Sequence, residues 1–264
     1  MPEIHQAASC GFGQGADIYE RGRPDYPDAL HAWLHDRLSI APGKQVLELG
    51  AGTGKFTKLL HGTEATVQAL EPVAAMRAQL KQQLPNIATL DGRAEAIPLP
   101  DQTVDVVVCA QAFHWFANVD ALHEIRRVLK PSGRLGLIWN VRDEQCDWVR
   151  EITALITPFE VGVPRFHTGE WRQPFTQGIF SLPEPDCFTH AHTGSPEQVI
   201  VDRTMSVSFI AALPQAQREQ VRRQLHELIE RHPHLAGRTS ISFPYRTEAY
   251  CCEARHSAQS PSSR

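Results

Sequence analysis

The run Val46-Leu47-Glu48-Leu49-Gly50-Ala51-Gly52-Thr53-Gly54 constrains the fold of this chain more than any other segment. Val46, Leu47 and Leu49 suit a strand buried on both faces, with a carboxylate, Glu48, near its end. Three alternate glycines follow, and then Lys55-Phe56-Thr57-Lys58-Leu59-Leu60 reads as the start of a helix. A strand that empties through a glycine turn into a helix N-terminus is the ligand-side geometry of a doubly wound α/β sheet. Glycine permits positive φ at the turn, and the helix N-terminus presents unpaired N–H groups to an anion.

The spacing decides between ligands. The dinucleotide pattern G-x-G-x-x-G needs glycine at position 55, where Lys55 stands. The phosphate-loop pattern G-x-x-x-x-G-K-S/T needs glycine at 49 and a hydroxyl at 56, where Leu49 and Phe56 stand. Both fail at residues their mechanisms require. The remaining pattern, Glu48-x-Gly50-x-Gly52-x-Gly54, resembles the first motif of class I S-adenosylmethionine (SAM)-dependent methyltransferases. A glycine turn without a ligand is the competing reading.

At 264 residues the chain can bury a sizeable core. Its formal charge of −4, with no long basic run, speaks against a nucleic-acid footprint. No apolar stretch is long enough to span a membrane. The N-terminus, with Glu3, His5 and Asp17, lacks the pattern of a signal peptide. The six cysteines form no C-x-x-C pair, which favours reduced thiols in the cytoplasm. Among thirteen histidines, His31 and His35 lack the glutamate of H-E-x-x-H, and His190-x-His192 and His232-x-His234 have no third ligand nearby in sequence. No metal is expected.

Periodicity predicts a helix over Pro27–Leu38 and strands over Gln45–Leu49 and Thr66–Leu70. A helix over Val73–Leu84, a short strand over Ile87–Leu90 and a buried strand over Val104–Cys109 come next. A helix over Asp120–Leu129 is closed by Lys130-Pro131-Ser132-Gly133, and Arg134–Trp139 gives another strand. Alternating strands and helices predict an α/β, doubly wound, mostly parallel sheet with helices on both faces, and the resemblance to class I methyltransferases implies that it is Rossmann-like and seven-stranded. Prolines 158, 164, 174, 183 and 185 break the next stretch into loops around Trp171 and Phe175, either a lid or a structural excursion. Gln215–Arg231 reads as an amphipathic helix, and Ser240–Glu253 as an antiparallel strand closing the sheet. A single domain over 1–253 follows, with a core at about 40–140, an N-terminal cap at 12–38, a cap or substrate region at about 145–240, a closing strand at about 241–253 and a disordered tail at 254–264.

Ligands of open α/β sheets lie outside the carboxyl ends of the strands. Glu71 ends the second strand, about twenty residues beyond the glycines, where an acid accepts both ribose hydroxyls. Further ends carry Asp91-Gly92-Arg93-Ala94-Glu95 and Ala110-Gln111-Ala112-Phe113-His114-Trp115-Phe116. With Ile97-Pro98-Leu99-Pro100-Asp101 and Val104-Asp105-Val106-Val107, these resemble the motifs of type 11 small-molecule methyltransferases. The Gln111–Phe116 run is similar to the trans-aconitate-methyltransferase-like branch, as are Tyr19–Pro27, Trp139–Asp143 and Pro244–Glu248. The resemblance runs from about residue 12 to residue 253.

That resemblance implies S-adenosyl-L-methionine as cofactor, with Gly50, Ala51, Gly52 and Gly54 against its methionine and ribose parts. It implies that Glu48 orients the turn and the amino group, Glu71 holds the ribose, and the Ala94 N–H meets the adenine. It also implies that Ala110 and Gln111 flank the methionine tail, and that Tyr19 and Arg23 close over the ligand. Many relatives carry an acid where Arg93 stands, so that adenine contact must come from elsewhere. His114 is the candidate catalytic base or orienting partner, alternatively a brace of its loop, since histidine suits proton removal near neutral pH. Trp115, Trp139 and Arg142 are the candidate acceptor-side residues. The expected activity is methyl transfer to a small-molecule carboxylate or hydroxyl oxygen by a cytoplasmic monomer or homodimer, with no nucleic-acid or membrane partner. A SAM-binding sensor without turnover and an NAD-dependent oxidoreductase are the alternatives.

Overall fold

The computed structural model describes residues 23–255, so the expectations for Tyr19, for residues 12–22 and for residues 256–264 lie outside the described residues. Seven strands form one sheet: β1 (Gln45–Leu49), β2 (Thr66–Leu70), β3 (Ala88–Leu90), β4 (Val104–Ala110), β5 (Leu129–Arg142), β6 (Asp186–Gly194) and β7 (Ile241–Glu253). Their order is β3-β2-β1-β4-β5-β7-β6. β1 to β5 pair in parallel, and β7 inserts antiparallel between β5 and β6. The order reverses between β1 and β4, which opens the crevice where such sheets bind ligands.

Helices cover both faces: α1 (Ala29–Leu38), α2 (Lys55–His61), α3 (Ala74–Gln83), α4 (Val119–Val128), α5 (Asp147–Ile156) and α6 (Gln215–Arg231). Strand side chains alternate between faces. Val46, Val106, Val108 and Ile138 join a core with Leu30, Leu34 and Phe56, while Leu47, Leu49, Val107 and Leu137 join another with Leu122 and Ile125. A third core gathers α5, α6 and the short helical segments Glu197–Asp202, Arg203–Met205 and Ser208–Ala211 around Phe243 and Tyr245. Among the described residues no helix is long and apolar enough to cross a membrane.

Three expectations are corrected. β5 begins at Leu129, because Leu129 pairs with Val104 before the register shifts and Arg134 pairs with Val106; the Pro131-Ser132-Gly133 stop is absorbed as an irregularity in the strand. The span 145–240 includes a strand, β6, whose half-buried and exposed residues alternate along an edge. Ala254 and Arg255 are tied to the fold, by a bridge to Phe180 and a bond from the Arg255 N–H to Ile179 O at 3.0 Å. Trp171 and Phe175, in the proline-broken stretch, are buried against Trp139, Phe180 and Tyr250. That part of the stretch is sheet cover.

Candidate cofactor and acceptor site

The glycine turn hangs from the end of β2, where the N–H groups of Gly50 and Ala51 both reach Leu70 O, at 2.9 and 3.3 Å. Gly50, Gly52 and Gly54 all take positive φ, at 69°, 59° and 95°. Their reasons for being glycine differ. A Cβ on Gly50 would lie 2.7 Å from the Ala112 Cβ, whereas a Cβ on Gly52 would meet nothing within 4 Å. Gly52 thus leaves bare backbone facing a cavity, which is lined among others by Glu48, Gly50, Ala51, Glu71, Arg93, Ala94, Ala110, Gln111 and Trp115.

Two buried acids frame that cavity. Glu48 lies mid-sheet, level with Ala69 of β2 and Val108 of β4, and accepts the Thr57 hydroxyl at 2.6 Å. Burial, resisted by Thr57 and reinforced by the Glu71 charge, pushes its carboxyl up to about 8. Glu71 accepts the Gly52 N–H and the Val73 N–H, each at 2.9 Å, so it bolts the tip of the turn to β2. Burial raises its pKa, against the two backbone bonds and Arg77. A carboxylate has about four lone-pair sites, so two remain for ligand hydroxyls.

Gln111 follows β4 with φ of 57°, one of the few non-glycine residues in the left-handed region. Its N–H bonds Ile138 O at 2.8 Å and its amide bonds Asn140 O at 3.2 Å, contacts that hold the strained backbone in place. Phe113–Trp115 then forms a single 3₁₀ turn, which puts Trp115 on the cavity wall. His114 is partly buried and its Nδ1 accepts the Trp139 indole N–H at 3.2 Å. Burial, then Arg165 and Arg23, push its imidazole down to about 3. The ring is therefore neutral, with its proton on Nε2.

Beyond His114 stand four guanidinium groups. Arg142, at the end of β5, is held down to about 9 by burial and by Arg203, Arg165 and Arg23, with Tyr245 opposing. Among the described residues no acid forms an ion pair with it. Arg165 pairs with Glu160 at 3.4 Å but leaves its buried Nε without a partner. Arg203 bonds the Tyr245 hydroxyl at 3.1 Å and leaves its buried Nη1 without one. Arg23 and Arg203 line the same cavity as the glycine turn.

A methyltransferase-domain family model matches residues 47–137. An uncharacterized methyltransferase-like protein of Schizosaccharomyces pombe is 36% identical over 89% of this chain and 92% of its own length. The chain is a class I SAM-dependent methyltransferase. The malonyl-[acyl-carrier protein] O-methyltransferase of Serratia marcescens is 26% identical over 79% of this chain and 88% of its own. The YcgJ protein from Bacillus subtilis has the same fold, with a TM-score of 0.58 at 19% identity over 88% of this chain and all of that one.

Within the methyltransferase, the cofactor-side candidates converge from Arg23 to Gln111, apart from Tyr19, which lies outside the described residues, and Gly54, which packs against Leu80. On the acceptor side Trp115 lines the cavity, whereas His114, Trp139 and Arg142 do not. Trp139 is buried in an aromatic stack with Trp171 at 4.5 Å and Phe166 at 4.8 Å. Sequence reasoning missed Asn140 and Arg203 as lining residues, and Arg165 beside them. Asn140 directly follows the candidate Trp139 and was within reach; Arg165 arrives from a loop and Arg203 from a short helical segment, neither with a motif.

The histidine pair His232-x-His234 does find a third group, since Asp147 at the start of α5 brings three potential ligand atoms within 4.8 Å. His232 Nδ1 already accepts the His234 N–H at 3.3 Å, which leaves the proton on Nε2 facing Asp147 at 3.5 Å. The cluster therefore works as a polar tie between α5 and the loop after α6.

Proposed function

We propose that this methyltransferase methylates a carboxylate oxygen of a small anionic acceptor. The carrying observation is the group of Arg23, Arg142, Arg165 and Arg203, in which buried N–H groups of Arg165 and Arg203 lack partners and Arg142 has no ion pair among the described residues. Like charges gathered away from water are costly until an anion joins them. The cluster supports an acceptor that arrives with negative charge. The O-methyltransferase named above, from Serratia marcescens, agrees with oxygen as the receiving atom. The similarity of Gln111–Phe116 to the trans-aconitate-methyltransferase-like branch points the same way.

The residues around the turn fit the cofactor. Glu48, protonated while buried alone, would hold the amino group; Glu71 would take the ribose hydroxyls with its free lone pairs. Gly50, Ala51 and Gly52 would lie along the methionine part, and Ala94, Ala110, Gln111 and Arg93 would complete the wall. When bound, S-adenosylmethionine supplies a sulfonium methyl group, an electrophile that a carboxylate oxygen accepts without first losing a proton. His114 has no base work to do in such a reaction. Its Nδ1 is committed to Trp139, so its Nε2–H is a neutral donor that orients an acceptor oxygen. A hydroxyl acceptor would need a base, and His114 is poorly suited to that role.

The test is product chemistry. Thermal-shift measurements should show stabilisation by S-adenosylhomocysteine and none by NAD. Incubation with labelled cofactor and a panel of small mono- and polycarboxylates should yield a base-labile methyl ester. A base-stable methyl ether or amine sinks the carboxylate reading. Cofactor binding with no transfer to any anion leaves the sensor alternative standing instead.

A further inference from the structure

Lys55 is out of place by the rules of helix electrostatics. It opens α2, whose first turn contains no acid, and a cation there faces the positive end of the helix dipole. Its ammonium is occupied elsewhere. Nζ donates to Arg23 O at 2.7 Å and lies 3.0 Å from Asp25 Oδ1. Next to it, Phe56 takes the Tyr26 ring edge-on, with centroids 4.8 Å apart. Residues 23–26 thus run as a strap whose Arg23, Pro24 and Tyr26 form part of the cavity wall.

The other anchors of this strap lie on the far side of the cavity. Asp25 O accepts the Asn140 side-chain amide at 3.2 Å, from β5, and His190 Nε2 at 3.0 Å, from β6. Arg23 Nη2 donates to Ser206 O at 3.1 Å. Those three bonds fix one edge of the strap to the acceptor half. Lys55 and Phe56 fasten it across to the helix that begins at the glycine turn.

We propose that Lys55 is a positioning residue, a latch that holds residues 23–26 over the cofactor and so controls how tightly and how long the cofactor is retained. The proposal rests on SAM occupying the cavity at the glycine turn. Its action is indirect: the ammonium organises the strap, and the strap closes the wall. Asp25 supplies the charge partner, and Asn140 and His190 act as the hinge.

The experiment compares the wild-type chain with Lys55→Met, Lys55→Arg and Asp25→Asn. Hydrogen exchange of the unliganded proteins is followed at residues 25–31, and S-adenosylhomocysteine binding is measured by calorimetry and stopped flow. Lys55→Met is expected to exchange faster at the strap while the amides of β4 stay protected. It is expected to bind S-adenosylhomocysteine about tenfold more weakly, mainly through faster release. Lys55→Arg retains both properties, and Asp25→Asn shifts both in the Met direction by less. Weaker binding with unaltered strap exchange would show a direct cofactor contact and overturn the latch. Faster strap exchange with unaltered binding overturns it as well. A wild-type chain that binds no S-adenosylhomocysteine overturns the cofactor assignment of the cavity itself, a failure separate from that of the latch.

Discussion

The Trp139 indole N–H points at His114 Nδ1 from 3.2 Å, across 25 residues of sequence, and this bond fixes which nitrogen of the imidazole carries the proton. Trp139 is locked in turn by Trp171 and Phe166, so the donor cannot swing away without disturbing the aromatic stack. A histidine so placed is a hydrogen-bond donor. Its depressed pKa, about 3, keeps it neutral throughout the physiological range.

Turnover should accordingly show no acid limb from His114 between pH 5.5 and 8, roughly the range in which an ordinary histidine titrates. His114→Gln, which keeps an N–H donor, should retain most activity; His114→Ala should lose about tenfold in kcat/KM. Stability carries a sign as well. The folded pKa lies below the ordinary value of 6.5, so the contribution of neutral His114 is complete above pH 6.5 and is lost as pH falls toward 3. Acid titration of His114→Gln should be shallower in that window. A pH–rate profile with an apparent pKa near 6.5 that vanishes in His114→Gln would restore the general-base role.

Arg142 should trade stability for function. Replacing it with Met removes a charge whose pKa is depressed to about 9, first by burial and then by Arg203, Arg165 and Arg23. The unliganded Arg142→Met chain should gain about 1 kcal/mol, or about 2–4 °C in melting midpoint for a chain of this size. Its kcat/KM for the anionic acceptor should fall by at least about tenfold, with S-adenosylhomocysteine affinity unchanged. A lower melting midpoint in the unliganded protein contradicts the like-charge account.

Legibility from sequence followed the range of the signal. β1, its glycine turn and α2 form within seventeen residues and were readable because strand burial, φ requirement and helix start all act locally. Glu71 was readable because a parallel crossover fixes its distance from the turn. β6 was hidden: Asp186–Gly194 alternates, but with threonine and histidine on an edge strand, where one face meets water and the apolar signal fades. The arginine group was hidden for another reason. Arg23, Arg142, Arg165 and Arg203 come from four separated segments, and only the completed fold puts them within each other's electrostatic reach. The low pKa of His114 comes first from burial and then from Arg165 and Arg23, none of which the residue type reveals, so the sequence left base, orienting partner and loop brace all open.

Gly50 and Gly52 separate packing from ligand approach. Gly50→Ala suffers both its positive φ and the 2.7 Å overlap with Ala112, so about 2–4 kcal/mol of destabilisation is expected. Gly52→Ala keeps only the φ strain, about 1–2 kcal/mol, yet its new methyl enters the cavity and should abolish cofactor binding. Adding Ala112→Gly should recover part of the Gly50→Ala loss, with a coupling of about 1 kcal/mol or more in denaturant melts. Additive effects at 50 and 112 would show that the loop yields to the extra methyl.

With the cofactor amino group against Glu48 as proposed, cofactor binding should be tied to proton release. Its folded pKa is about 8 against an ordinary value of 4.5, so near pH 7 the unliganded chain holds a proton there that an unfolded chain would have given up. A group raised in this way contributes stability fully below pH 4.5, and the contribution is lost as pH climbs through 8. A cationic amino group against Glu48 favours the carboxylate and lowers its pKa, so binding expels the proton. Calorimetry of S-adenosylhomocysteine binding near pH 7, repeated in buffers of different ionisation enthalpy, should therefore report release of up to about one proton. Glu48→Gln is neutral at every pH. It should flatten the alkaline loss of stability, remove the buffer dependence and weaken binding about tenfold or more, because the charge-assisted bond is gone. Buffer-independent heats in the wild-type chain would mean that Glu48 is ionised before the ligand arrives, with the Thr57 bond outweighing its burial.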